Sequence, residues 1–257
     1  MTTRARGPGP LLVIVPAYNE EGAVGAVVRE VKEQVPGVAV LVIDDCSQDA
    51  TVAKAREAGA EVLALPHHLG LGGAVQAGYK LAFELGFGYV IRVDGDGQHD
   101  ARDIPRILAK LKESGAEMVI GARMGREREQ WRGRRLRALG TYFFRMVLRP
   151  ILGKPVHDPT SGFVGVNRRA LALFAASFPL EYPEIEALVV LQRRNFRFEE
   201  VPCQMRPRKT GRSSITALKS FSYITHVLLG VFVNILRYDG RRRRRGSGSS
   251  AGTGGGG

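Results

Sequence analysis

The feature that most constrains this chain is an alternation in its first hundred or so residues. Residues 11–15, 39–43, 62–65 and 89–93 are short apolar runs of strand length. Helical stretches lie between them. Residues 21–34 carry Val24, Val27, Val28 and Val31 at helical spacing. Residues 51–58 follow the turn-rich Ser47-Gln48-Asp49, and residues 73–85 place Ala74, Ala77, Leu81, Ala82 and Leu85 on one face. A further helix over 104–114 leads to a strand over 117–121. Near-continuous apolar strands separated by helices predict an α/β fold, a mostly parallel sheet with helices on both faces. Such sheets bind ligands beyond the carboxyl ends of their strands.

The second half is less regular. Residues 126–136 are polar and Arg-rich, a loop or a solvated helix, and 139–148 are aromatic and apolar. The pattern predicts strands over 163–166 and 196–201 and a helix over 184–193. Residues 216–238 read as a long helix with Leu218, Phe221, Thr225, Leu228, Leu229, Phe232, Ile235 and Leu236 near one face, and a Gly/Ser tail follows Gly240. This gives a main domain over 1–215, an amphipathic or interfacial helix over 216–240 and a disordered basic and Gly/Ser tail over 241–257.

Charge is concentrated. The 257 residues include 38 Lys and Arg against 25 Asp and Glu, a net charge of +13. Residues 123–154 account for +8 and the five consecutive arginines from Arg241 to Arg245 for +5, so the remainder is neutral. Two local patches on a neutral body point to specific anionic contacts: a phosphorylated substrate, an anionic membrane surface or a nucleic acid. Only two cysteines are present, Cys46 and Cys203, which excludes a disulfide scaffold and suits a cytoplasmic protein. The run at 11–15 is too short for a signal segment. Residues 221–236 contain His226 and Asn234 and fall short of the ~20 apolar residues a spanning helix needs.

Polar groups gather at strand ends. Pro16-Ala17-Tyr18-Asn19-Glu20 follows the first strand, Asp44 and Asp45 the second, and Asp94-Gly95-Asp96-Gly97-Gln98 the fourth. Buried strands ending in acids at one edge are costly unless those acids meet a cation or ligand. Alternate side chains on an extended segment point the same way, so Asp94, Asp96 and Gln98 can converge. Oxygen ligands in that number suit Mg²⁺ or Mn²⁺ bound jointly with substrate phosphates. A calcium loop would need Gly at its sixth position and Glu at its twelfth, where this chain has His99 and Pro105. A plain Asp-Gly turn is the bland alternative. His68-Leu69-Gly70-Leu71-Gly72-Gly73 lacks the third glycine of a dinucleotide fingerprint, and its glycines suit either a close ligand approach or a tight turn.

Together these motifs, with Gly121-Ala122-Arg123 and Asp158-Pro159-Thr160-Ser161-Gly162-Phe163, occur in the order seen in family-two glycosyltransferases, and the chain resembles their dolichol-phosphate mannose synthase branch over about residues 10–215. The resemblance implies a nucleotide-sugar-binding fold of the A type. It places Pro16, Tyr18, Glu20, Ile43 and Asp45 around the nucleotide base and ribose, and Asp94, Gly95, Asp96 and Gln98 at the metal and diphosphate. Arg123 and Arg208 match phosphate-contacting arginines, and Ser214 follows the Gly-x-Ser stretch where a lysine is common. The chain departs from the pattern at Cys46, where the family often has Gly, at His68 in place of Asn, and at Val164 in place of Arg.

The activity so implied is inverting, metal-dependent transfer of a hexose from a nucleoside diphosphate sugar to polyprenyl or dolichyl phosphate. GDP-mannose is the favoured donor and a UDP-sugar the other, and Asp96, Arg123 and Arg208 carry the chemistry. The alternative acceptor is a sugar hydroxyl, which needs a carboxylate base. Asp158 is a candidate for that role, or a turn cap. Glu186 is another candidate, or a structural ion pair. Arginines over 123–137 next to Tyr142-Phe143-Phe144 suit a lipid phosphate, and the Arg241 to Arg245 run suits the cytoplasmic face of an anionic membrane. Nucleic-acid binding is disfavoured, because the strand-end acids would repel a polyanion.

Overall fold

The computed structural model describes residues 9–123, 149 and 151–206. Its elements run β1 (Leu11–Ala17), α1 (Val24–Gln34), β2 (Ala39–Asp44), α2 (Thr51–Glu57), β3 (Glu61–Ala64), α3 (Gly70–Glu84), β4 (Tyr89–Arg92), α4 (Ile104–Ser114), β5 (Met118–Arg123), β6 (Val164–Asn167), α5 (Arg168–Ala176), α6 (Pro183–Arg193) and β7 (Phe198–Cys203). The seven strands form one sheet in the order β3-β2-β1-β4-β6-β5-β7.

Alternate side chains of each strand feed two cores. Leu12, Ile14, Leu41, Ile43 and Val90 pack under α3, α5 and α6, with Tyr79 and Phe174 at their centre. Val13, Val15, Val40, Val42 and Ile91 pack under α1, α2 and α4, against Val28, Ala55 and Ile107. Both faces of the central strands are therefore apolar, which is why the strands read as continuous hydrophobic runs. Tyr79 stacks on Phe174 at 5.6 Å, joining α3 to α5.

The expected parallel sheet holds for β1, β2, β3 and β4. β6 departs from it, lying antiparallel to β4 on one side and β5 on the other, while β5 and β7 are parallel. The sheet is therefore mixed, with β6 antiparallel to both of its neighbours. The sequence pattern does not mark α5, which is capped by Asn167, whose side chain accepts hydrogen bonds from the N–H groups of Arg169 and Ala170. The helix expected to start at residue 73 starts at Gly70, so the glycine-rich turn belongs to its first turn. Gly72 is required there by packing, since a Cβ would lie 2.5 Å from both the Cα and the carbonyl oxygen of Leu180. The helix expected from residue 21 begins at Val24. The Arg-rich stretch over 126–136, the aromatic stretch over 139–148, Arg208, Ser214, the helix over 216–238 and the arginine run lie outside the described residues. Among the described residues, no helix is long and apolar enough to cross a membrane.

Candidate active site

Strand order reverses between β1, which continues toward β2 and β3, and β4, which continues toward β6. At such a switch point the loops leaving the two strands diverge and open a crevice. Here a cleft of about 340 Å³ lies at the carboxyl ends of β1, β2 and β4, lined by Pro16, Tyr18, Glu20, Asp45, Asp94, Gly95 and Asp96 among others.

Backbone bonds stitch two of its walls together. The N–H of Asn19 donates to Ser47 Oγ at 2.9 Å, the N–H of Gln48 to Asn19 Oδ1 at 2.8 Å, and the N–H of Glu20 to Thr51 Oγ1 at 2.8 Å. The turns that allow this pairing put Asn19 at φ 54° and Cys46 at φ 67°. Left-handed backbone costs an L-residue roughly 1–2 kcal/mol relative to glycine, which explains why glycine suits position 46. Gly95 sits so close to β1 that a Cβ would be 3.0 Å from the Pro16 carbonyl.

Asp44 and Asp45 are sorted by the end of β2. Asp45 reaches the cleft, where its Oδ1 accepts the Leu69 N–H at 2.7 Å and its Oδ2 lies 2.9 Å from His68 Nδ1. His68 in turn packs on Tyr18 with ring centroids 4.3 Å apart. Tyr18 is exposed, and the pair forms an aromatic wall beside Asp45. Asp44 turns inward and accepts the Ser47 N–H at 3.2 Å. The Ile43 side chain does not line the cleft; it is fully buried beneath α3, where a Cβ on Gly78 would meet it at 2.9 Å.

The opposite wall is the loop after β4. Asp96 Oδ1 accepts the Gln98 N–H at 3.0 Å. Asp94 Oδ1 accepts from Arg92 Nε at 3.1 Å and Nη2 at 3.0 Å. His99 is buried and stacked on Phe163 at 4.9 Å; its Nδ1 accepts the Asp94 N–H at 3.1 Å, and its Nε2 lies 3.8 Å from Asp94 Oδ2. Burial pushes the His99 imidazole below its ordinary pKa, so it is neutral and holds the Asp94 backbone as an acceptor. Gln98 is tied from behind: its carbonyl accepts the Arg206 N–H at 2.7 Å, and Arg206 pairs with Glu30 at 2.6 Å and Asp100 at 3.0 Å.

Among the described residues, no group of three His, Cys, Asp or Glu side chains could by itself hold a metal ion. Two of the cleft carboxylates, Asp94 and Asp96, are a hard oxygen set that fits Mg²⁺ or Mn²⁺ when phosphate oxygens complete the coordination.

Arg123 stands at the end of β5, outside the cleft lining. Its Nε and Nη2 grip both oxygens of buried Asp158 at 2.5 and 2.7 Å, and its own N–H donates to Asp158 Oδ2 at 3.1 Å. Burial raises the Asp158 carboxyl, but the Arg123 bonds and charge outweigh it and hold the group below the ordinary carboxylate range. A carboxylate so engaged is a poor base. Glu186 is buried at the start of α6, where its Oε1 accepts the Tyr182 N–H at 3.2 Å, a helix-start contact. The sequence reading gave no site role to Arg92, His99, Gly162 or Glu184. An arginine in an otherwise apolar strand was the one visible signal among them.

The model of the family described as "Glycosyl transferase family 2" matches residues 12–174. The chain belongs to that family. Its relatives include polyprenol monophosphomannose synthase of Mycolicibacterium smegmatis, 33% identical over a 171-residue match that covers 62% of this chain and 62% of that protein. Undecaprenyl-phosphate mannosyltransferase of Micrococcus luteus is 28% identical over 216 residues, covering 80% of this chain and 87% of that one. Among solved structures, glucosyl-3-phosphoglycerate synthase of Mycobacterium tuberculosis, in complex with Mg²⁺ and uridine diphosphate, superposes with a TM-score of 0.67 at 22% identity over 90% of this chain and 80% of that one. That likeness establishes the fold, the nucleotide-sugar-binding type expected of family-two members.

Proposed function

We propose that this family-two member transfers a hexose, with mannose favoured, from a nucleoside diphosphate sugar to polyprenyl phosphate, with inversion at the sugar. The observation that carries the reading is the convergence of Tyr18, Asp45, Asp94 and Asp96 in one cleft at the switch point of the sheet. The names of the mycobacterial and micrococcal relatives favour a lipid phosphate acceptor and a mannosyl donor.

The geometry of the described residues supports the following roles. Tyr18, backed by His68, offers a flat apolar face to a base, while Asp45, Glu20 and the Pro16 backbone flank the ribose. Asp94, Asp96 and Gln98 would hold Mg²⁺ or Mn²⁺ jointly with the diphosphate. That ion supplies electrostatic stabilisation of the leaving nucleoside diphosphate. Arg123 and Arg208 are assigned to phosphates. Asp158 already anchors Arg123, whose side chain remains 45% exposed. A lipid phosphate is anionic at neutral pH and attacks without a base, which gives inversion directly. A hydroxyl acceptor requires a base, and the low pKa of Asp158 counts against that alternative.

The test is a transfer assay with purified protein, Mg²⁺ or Mn²⁺, labelled GDP-mannose or UDP-glucose, and polyprenyl phosphate in detergent. Metal-dependent label in the lipid phase is expected. Nucleotide release without lipid labelling would move the acceptor to a hydroxyl. Asp96→Ala should lower turnover at least 100-fold, on the order expected for lost charge stabilisation, with an unchanged circular dichroism spectrum. Retained turnover would remove the metal assignment. Placement on the cytoplasmic face of an anionic membrane is proposed from the basic patches, and flotation with anionic liposomes at low salt tests it.

A further inference from the structure

Arg92 is out of character with its strand. Its neighbours Val90 and Ile91 are fully buried, and Arg92 itself is 2% exposed. A buried guanidinium persists only with partners, and it has two. It donates to Asp94 Oδ1 through Nε and Nη2, and Nη2 also donates at 2.8 Å to Glu184 Oε1 in the first turn of α6. Burial favours the neutral form of Arg92, but Asp94 and Glu184 overcome this and keep it charged. Two carboxylates therefore compete for one fixed cation directly behind the cleft wall.

The competition has an electrostatic consequence. Arg92 cancels part of the charge that Asp94 presents to the cleft beside Asp96. Glu184 draws the same guanidinium away and adds a negative charge of its own. We propose that Arg92 and Glu184 are opposed positioning residues that set the affinity of the Asp94–Asp96 edge for a divalent cation, Arg92 weakening it and Glu184 strengthening it, so that the ion is held firmly only together with the diphosphate. This rests on the metal-nucleotide reading above.

The experiment is calorimetric titration of the full chain with Mn²⁺ at pH 8, alone and with UDP or GDP, for wild type, Arg92→Gln and Glu184→Gln. Wild type should bind Mn²⁺ weakly alone and much more tightly with nucleotide. Arg92→Gln should tighten nucleotide-free Mn²⁺ binding at least about tenfold, and Glu184→Gln should weaken it by a similar factor, as expected for one charge several ångströms from a divalent ion. A purely structural role would move both variants in the same direction or neither, and either result overturns the inference. Should Arg92→Gln fail to fold, as judged by its melting curve, Glu184→Gln decides alone: weaker binding supports the proposal, and equal or tighter binding overturns it. Absence of Mn²⁺ binding to wild type with both nucleotides would instead remove the metal reading itself, and the inference with it.

Discussion

Gly162 offers a sharp test of how the cleft wall is built. A Cβ at this position would stand 2.5 Å from Asp94 Oδ2 and 2.7 Å from Arg92 Nη2. Its backbone is not left-handed, so Gly162→Ala tests contact alone. Neither neighbour is a loose side-chain end, because Arg92 is buried between two acceptors and Asp94 is held by Arg92. The loop cannot retreat easily either: Ser161 Oγ donates to the Gly121 carbonyl at 2.6 Å, and the Gly121 N–H donates to the Phe163 carbonyl at 2.8 Å. Overpacking of this kind costs about 1–3 kcal/mol. Pushing Asp94 off a buried Arg92 costs about 3–5 kcal/mol. The cheaper route prevails, so Gly162→Ala should lose about 2–3 kcal/mol in urea denaturation, with an unchanged m-value. In an Asp94→Ala background the Cβ gains room, and the same substitution should cost under about 1 kcal/mol. An equal cost in both backgrounds would refute the steric account.

Three further outcomes are expected. Bonds from Arg102, helped by Arg206, hold the Asp100 carboxyl at about 2, below its ordinary value. Its folded value lies under the unfolded one, so its stabilisation is complete above about pH 4 and is lost as pH falls toward 2. The loss is about 2 kcal/mol at low salt, less when the exposed Arg102 is screened, and Asp100→Asn should flatten that part of the stability curve. Cys203 is buried, its thiol pushed up to about 12 by burial and by Asp103, so iodoacetamide at pH 8 should modify Cys46 alone, as read by peptide mass. Tyr18→Ala should weaken nucleotide binding at least about fivefold, the lower end of what one base–aromatic stack contributes; unchanged calorimetric affinity would remove the base from that wall.

The strands and most helices were legible because burial on both faces writes itself as uninterrupted Val, Ile and Leu, and periodicity marks the helices between. The strand-end acids were legible for the same reason, as charges abutting apolar runs. Strand direction was not: the composition of Val164–Asn167 is the same whether the strand runs parallel or antiparallel to its neighbours. The site's supports were hidden by distance. Arg92 meets Glu184 across 92 residues, and Arg206 meets Glu30 across 176. The resemblance placed Ile43 with Asp45 around the nucleotide, but its side chain is fully buried in the core under α3 and does not line the cleft.

The strand order also bears on how the chain matures as it is made. β1, β2, β3 and β4 are complete once residue 92 is available, and they pair with one another. β5 receives β6 some 46 residues after its own start, and β7 only at residue 198. N-terminal units fold first during synthesis, and distant pairings close late. The acids of the cleft thus exist on an early half-sheet, while Glu184 and Arg206, which tether Arg92 and the Gln98 loop, arrive on its late half. A nascent chain halted before residue 184 would carry the carboxylates without the partners that fix their poise, so the competence of the cleft is timed by its last strand and not by its first.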